Sequence, residues 1–552
     1  MKVRSDILRI YRSLHTWVGI TSGLLLLVGF FAGALTMFKQ PMDRWINPPE
    51  KRMPWIQESS LDQLVAQVME QYPSARREFT LYPIEREDLS APMVWTETSG
   101  GRELDLSAEQ RIASLDSNGN LKTDIQMPSR FGDLVDMLHR TGGIPGFTGD
   151  EYLGVYILGI AGVLYFLALI SGVILLLPTL VKDFFALRYG KNKKRFWLDS
   201  HNVVGITSLP FHIVISLTVI VFAFHGEFYE ALKEVVYPNQ ERAQEMGESQ
   251  HRNPQDILPP SQLLQKVRAE APGFDVTEML YMRLDSPRPL VRIAVYKPEE
   301  LVHGPVTGYV GVDPYSGEFL LTAMLPGKAE GWGAIVNYFF ALHFGSFGGS
   351  LVRWIYFFLG LSGAFLFYSG NLLWIESRRK KLRKNAAPDT LVTQPRNLQW
   401  MAAITVGATF GCVIGVCLAM VSGKWMHAVS DNINYTYVNI YYICFAVAIA
   451  YALWIGVGRA TWHLLLASSL SCALIPLTSF ASWLIPGLGL WAYTSLPVLM
   501  VDLTAAAFAV VLMFAAVRSR RRAFSGNTDS VWSAYKDKKS QAPGLDRKEF
   551  PI

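Results

Sequence analysis

The chain has 552 residues, 50% of them hydrophobic and 12% aromatic, with a mean hydropathy of +0.21. So apolar a composition excludes an ordinary soluble multidomain enzyme and points to a membrane protein. The net charge of +5 carries less information than the places where Lys and Arg fall between apolar stretches.

A bilayer core needs about 20 apolar residues per helical span. Eight stretches qualify, near residues 15–38, 153–178, 203–225, 351–375, 401–422, 438–458, 462–484 and 492–517. Ala32-Gly33-Ala34 resembles a signal-peptide cleavage site, but the apolar run before it is longer than the usual h-region, so the first span is expected to be retained. Lys2, Arg4, Arg9 and Arg12 precede span one. Lys182, Arg188, Lys191, Lys193, Lys194 and Arg195 join spans two and three. Arg378, Arg379, Lys380, Lys381, Arg383 and Lys384 follow span four, and Arg518, Arg520, Arg521 and Arg522 follow span eight. The positive-inside rule puts all of these, and both termini, in the cytoplasm. Since each basic run abuts a span, topology explains it without nucleic acid.

The predicted organisation is then a first span (1–38), an outer unit (39–152), spans two and three with their basic loop (153–225), a second outer unit (226–350), span four (351–375), a basic linker (376–400), four additional spans (401–517) and a tail (518–552). Both outer units read as α+β. In the first, Leu61, Leu64, Val65 and Val68 recur at helical spacing, short alternating strands follow, and the turn Asp116-Ser117-Asn118-Gly119 comes later. In the second, Leu263, Leu264 and Val267 open the same sequence of elements, which reaches the turn Asp313-Pro314-Tyr315-Ser316-Gly317-Glu318.

The membrane part repeats too. His15-Thr-Trp-Val-Gly-Ile-Thr-Ser22 and His201-Asn-Val-Val-Gly-Ile-Thr-Ser208 agree at six of eight positions. Leu138-His139 and Leu342-His343 each precede a glycine-rich turn and a span. Two copies in the same orientation predict a pseudo-twofold axis along the membrane normal. The axis would bring His15 to His201 near the cytoplasmic face and His139 to His343 near the outer face. Ionisable residues at membrane depth are functional candidates by default, and imidazole is a usual axial ligand of haem iron. That geometry suits two bis-histidine haems. His212, a little over three turns beyond His201, is either a ligand or part of the path between them, and His225 rivals the outer pair. An isolated histidine at a span end is ordinarily a capping or interfacial residue, and His427 and His463 stay with that reading. Glycines such as Gly19, Gly205, Gly159 and Gly363 suit close approach of a macrocycle, although helix packing explains small residues equally well.

Cys412, Cys417, Cys444 and Cys472 lie in apolar stretches and read as buried hydrophobes. No C-x-x-C-H is present for covalent haem attachment and no C-x-x-C for an iron–sulfur cluster. No G-x-G-x-x-G or Walker loop follows a strand, and no H-E-x-x-H or G-x-S-x-G appears.

Leu14-His15-Thr-Trp-Val-Gly19, Leu138-His139, Ser200-His201-Asn-Val-Val-Gly205, Leu342-His343 and Val312-Asp313-Pro-Tyr-Ser-Gly317-Glu318 together resemble the PepSY-associated transmembrane family over residues 1 to about 385. Within it the chain is most similar to inner-membrane ferric-siderophore reductases, a pyoverdine-type or a hydroxamate-siderophore enzyme among them. The resemblance implies a helical membrane bundle of about eight spans with two periplasmic PepSY-like α+β domains, a four-span core with an internal pseudo-twofold repeat, and haem b, in two copies, held by His15, His201, His139 and His343. It also implies ferric siderophore as substrate, a membrane quinol or cytoplasmic electron donor, and periplasmic siderophore-binding or transport proteins as partners. Trp55, Trp95, Tyr281, Tyr296, Tyr315 and Trp332 are candidate siderophore contacts, although large aromatics in small domains are more often core. The rival expectations are a PepSY-domain sensor or assembly partner without enzymatic activity, and a siderophore or iron permease.

Overall fold

The computed structural model describes residues 4–49, 52–86, 89–96, 106, 109–149, 151–184, 186–188, 193–231, 253–300, 307–322, 324–328, 330–385 and 394–534. Among these residues, seven helices are long and apolar enough to cross a membrane. They are α1 (Ser5–Thr36), α5 (Leu153–Leu176), α12 (Gly349–Lys384), α13 (Arg396–Trp425), α14 (Ile433–Ile455), α15 (Val457–Leu484) and α16 (Leu496–Ser525). The eighth expected span is broken. It consists of α7 (Lys193–Thr207) and α8 (Leu209–Ala223), bent by 70° between them. Pro210 sits in the first turn of α8, lacks an amide proton and clashes with the carbonyl four residues back, so a straight helix cannot run through it. The equivalent position in the first copy is Leu24, and α1 is continuous there.

Between α1 and α5 the chain forms α2 (Lys39–Ile46), α3 (Leu61–Gln71), β1 (Phe79–Leu81), β2 (Met93–Thr96), β3 (Gln110–Leu115), β4 (Leu121–Gln126), α4 (Phe131–Thr141) and a small hairpin, β5 (Phe147–Thr148) and β6 (Glu151–Tyr152). A short helix, α6 (Leu180–Asp183), precedes α7, and α9 (His225–Ala231) follows α8. The second insertion forms α10 (Pro260–Glu270), β7 (Asp275–Met282), β8 (Leu290–Tyr296), β9 (Gly308–Val312), β10 (Phe319–Leu321) and α11 (Gly331–Phe344).

The two insertions are not separate units. Their strands make one antiparallel sheet of order β10-β9-β8-β7-β1-β2-β3-β4. The halves join where β1 pairs with β7, Phe79 opposite Tyr281 and Leu81 opposite Met279. The paired Phe79 and Tyr281 rings stack at 4.3 Å. The pairing satisfies two strand edges that would otherwise stay open. It also merges the apolar faces of α3 and α10, from Leu64 and Val68 to Leu263 and Val267, into one core. Asp62 on α3 accepts hydrogen bonds from the Ser261 amide (2.9 Å) and hydroxyl on α10. Arg268 on α10 forms a two-pronged ion pair with Glu58 at 2.6 Å.

Chain connectivity puts this sheet at one end of the bundle, beyond the C-terminus of α1 and the N-termini of α5 and α12. The basic runs lie at the other end. There Arg379 pairs with Glu376 and, at 2.9 Å, with Asp529, and Arg188 pairs with the buried Asp199 at 3.0 Å.

Candidate functional site

The repeat brings its histidines together in two pairs. His15, on α1, and His201, on α7, have ring centroids 6.4 Å apart and planes at 85°. His139, in the last turn of α4, and His343, in the last turn of α11, have centroids 5.9 Å apart and planes at 40°. Both of these helices end at a left-handed glycine, Gly142 (φ 62°) and Gly345 (φ 60°). Glycine adopts that conformation without a Cβ penalty, so the helix stops just past each histidine.

Hydrogen bonds settle which ring nitrogen carries the proton. His15 Nδ1 lies 2.9 Å from the Ala168 carbonyl, and His139 Nδ1 lies 2.9 Å from the Gly29 carbonyl. A carbonyl only accepts, so both rings donate from Nδ1. In the second copy the partners are hydroxyls: Ser369 Oγ is 2.9 Å from His201 Nδ1, and Thr218 Oγ1 is 2.8 Å from His343 Nδ1. Ser369 already donates to the Leu366 carbonyl (3.1 Å) and Thr218 to that of Val214 (2.8 Å). Their protons are spent within the helix, so they too accept from Nδ1–H. All four imidazoles are therefore set with a lone pair on Nε2, the form that ligates a metal.

One metal ion that both imidazoles of a pair would hold, through nitrogens about 2.0 Å from it and about 1.2 Å from each ring centre, would need ring centroids up to about 6.4 Å apart. The two pairs lie at or near that separation. Around the inner pair, Gly19 and Gly205 fall one turn after His15 and His201. A Cβ at Gly19 would meet nothing within 4 Å, and one at Gly205 would meet only Leu366, so open space flanks both histidines. Gly172 and Gly370 lie against the rings, where a Cβ would come 3.1 Å from His15 Cε1 and 3.7 Å from His201 Cε1. Gly159 and Gly363 serve helix packing instead, against Ala223 and Phe30.

The outer pair opens into a cavity of about 620 Å³ lined by Gly29, Gly33, Leu158 and Gly360 below, and by Tyr296, Glu299 and Arg353 at its mouth. That volume falls within the range of about 300–1,000 Å³ usual for cofactor sites. The outer cavity would accommodate a haem held by His139 and His343, and at the other end His15 and His201 have the ring separation that a second would need. Among the described residues no three His, Cys, Asp or Glu side chains converge as a metal cage.

His212 belongs to neither pair. It is fully buried among Phe30, Tyr165 and Phe211, with ring centroids at 5.7, 6.0 and 5.3 Å. Neither of its ring nitrogens has a protein hydrogen-bond partner, nor does Tyr165 Oη. It lies six residues before Thr218, about 9 Å below the outer pair by helical rise. His225 Nδ1 bonds the Phe222 carbonyl at 2.8 Å, at the junction of α8 and α9. Tyr451 holds His463, and the ring of His427 lies 5.4 Å from Trp491. His251 and His303 lie outside the described residues.

The candidate aromatics divide. Trp95 and Tyr281 are core and Trp55 is partly buried, while Tyr315 donates to the Leu284 carbonyl. Tyr296, 38% exposed, faces the cavity. The side chain of Trp332 lies outside the described residues.

Ser171, Ser369 and Thr218, which join the histidine pairs, carry no motif of their own in the sequence. Ser171 Oγ approaches His15 Nδ1 at 3.3 Å, so Ser171-Gly172 and Ser369-Gly370 do the same work against the two inner histidines. A dipeptide recurring in spans two and four was the available signal. A family model described as the PepSY-associated TM region matches residues 12–377. No curated protein matches the chain.

Proposed function

We propose that this chain, which belongs to the PepSY-associated TM family, is a haem-carrying inner-membrane reductase that delivers electrons to ferric siderophore on the periplasmic side. The observation that carries this reading is the set of four imidazoles, paired at the two ends of the four-span core and all fixed as Nδ1–H. Bound at each pair, haem b supplies one-electron redox chemistry.

The chain's own residues do the rest. Ala168, Gly29, Ser369 and Thr218 orient the ligands. Phe30, Tyr165 and Phe211 form the inner lining of the outer cavity and pack around the buried His212, between the two pairs. His15 and Gly29, the latter bonded to His139, are fourteen residues apart on one helix, which puts the two sites about 21 Å apart by helical rise. At the outer end the cavity reaches the sheet through Tyr296 and Glu299, a place for an iron chelate to approach.

Ferric iron in a siderophore is held by hard oxygen donors, and reduction weakens that match and lets the metal leave an intact chelator. Without a nucleotide-binding motif, the electrons come from membrane quinol or a separate cytoplasmic donor at the His15–His201 side. The basic runs supply the orientation. Reporter fusions after Gln40 and Glu230 are expected to report periplasm, and fusions after Lys193 and Lys381 cytoplasm. The same compartment for Lys193 and Glu230 would remove the third span from the scheme.

The direct test is to reduce the purified protein anaerobically, add ferric siderophore, record the haem bands and trap ferrous iron. Reoxidation matched one for one by ferrous iron is expected. Reduced haem that persists in the presence of every bound ferric siderophore would leave a sensing or transport role as the better account.

A further inference from the structure

Spans five to eight, from Arg396 on, lie wholly beyond the family match, which ends at residue 377, and their contacts give them a task. The helix that carries His139, α4, turns its apolar face, Phe131, Leu134, Val135 and Leu138, into a core built largely from α13, α14, α15 and α16. Helix α14 also holds α4 at both ends. At the N-terminus, Asn434 Oδ1 accepts from the Arg130 amide at 2.8 Å and Asn434 Nδ2 donates to the Pro128 carbonyl at 3.2 Å. Tyr437 packs edge-on against Phe131, with centroids 5.7 Å apart. At the C-terminus, Tyr442 Oη donates to the Gly143 carbonyl at 3.1 Å, four residues beyond His139. Asn434, Tyr437 and Tyr442 recur at i, i+3 and i+8, on one side of α14.

The second copy is held differently. Helix α11, which carries His343, packs on α8 through Phe222 and Phe340. It is tied to α12 by the bond from Tyr356 Oη to the Leu342 carbonyl. Its outward face, Ile335 and Tyr338, is 47% and 57% exposed. The pseudo-twofold pair at the outer site is therefore held unequally.

We infer that the appended four-helix unit is a positioning device for His139, and that Asn434 and Tyr442 are positioning residues for the outer iron ligand. The inference rests on the proposed haem reading. A histidine on a helix pinned at both ends keeps its Nε2 at bonding distance. Helix α2 also holds the N-terminal turn of α4, where Asp43 accepts from the Gly132 amide at 2.7 Å and Lys39 pairs with Asp133, so loss of the α14 ties would shift α4 only in part and weaken the bond from His139 to iron, while the inner pair, on α1 and α7, is untouched.

The test uses the full-length protein with Tyr442→Phe, which removes one hydroxyl, and Asn434→Ala. Haem content, the low-spin spectrum and the two midpoint potentials are measured. Each variant is expected to convert part of one haem from low spin to high spin. The potential of that haem should rise, because a weaker imidazole donor stabilises ferric iron less, while the other haem keeps its wild-type potential. Tyr338→Phe, on the outward face of α11, is expected to change neither. Wild-type potentials and spin states in both Asn434→Ala and Tyr442→Phe, or equal shifts of the two haems, would overturn the positioning role and leave the haem reading standing. A wild type without haem would overturn both.

Discussion

Replacing His343 by alanine is expected to lower bound haem from two per chain to one, a loss of about half, because a non-covalent haem deprived of one axial imidazole is weakly held. His139→Ala should do the same to the same haem. His15→Ala and His201→Ala should each remove the other. The pairing makes the prediction specific: the double variant His139→Ala/His343→Ala should lose no more haem than either single one, whereas His15→Ala/His343→Ala should lose both. Haem extracted per mole of purified protein checks this. Four single variants with the wild-type ratio and spectrum would put the ligands elsewhere, with His212 and His225 next to be tried.

The second large effect is expected from a residue that is not a ligand. A Cβ at Gly33 would fall 2.6 Å from His139 Nδ1 and 2.8 Å from its Cε1, well inside van der Waals contact. The ring can retreat only by giving up the bond from its Nδ1–H to the Gly29 carbonyl, one turn back on the same helix. Gly33→Val should therefore expel His139 from its position and remove the outer haem as completely as His139→Ala does, with the inner haem retained. Retention of two low-spin haems in Gly33→Val would mean that His139 does not sit against α1 in the loaded protein.

The histidine pairs were legible because a duplicated motif carries its own symmetry. His15 and His201 open near-identical octapeptides, and Leu-His occurs once before each following span, so a twofold axis brings like to like. The joining of the two inserted units into one sheet was not legible. Only three residues of β1 meet β7, about 200 positions away, and nothing local in Phe79–Leu81 tells a sheet edge from a sheet centre. The break in span three had a visible cause in Pro210, but the apolar run through it reads as a continuous span by hydropathy alone. Ser369 and Thr218 escaped because a lone hydroxyl in a span usually bonds its own helix. Both do, and that prior bond is what makes them acceptors for the histidines.

Whether the histidine pairs hold haem decides what this protein does. The most direct measurement is the absorption spectrum and extracted haem content of the purified, full-length wild-type protein. Two non-covalent haems b per chain, both low spin, with a Soret band that shifts on dithionite reduction, are predicted. Colourless protein, folded and still colourless after incubation with haem, would contradict the account.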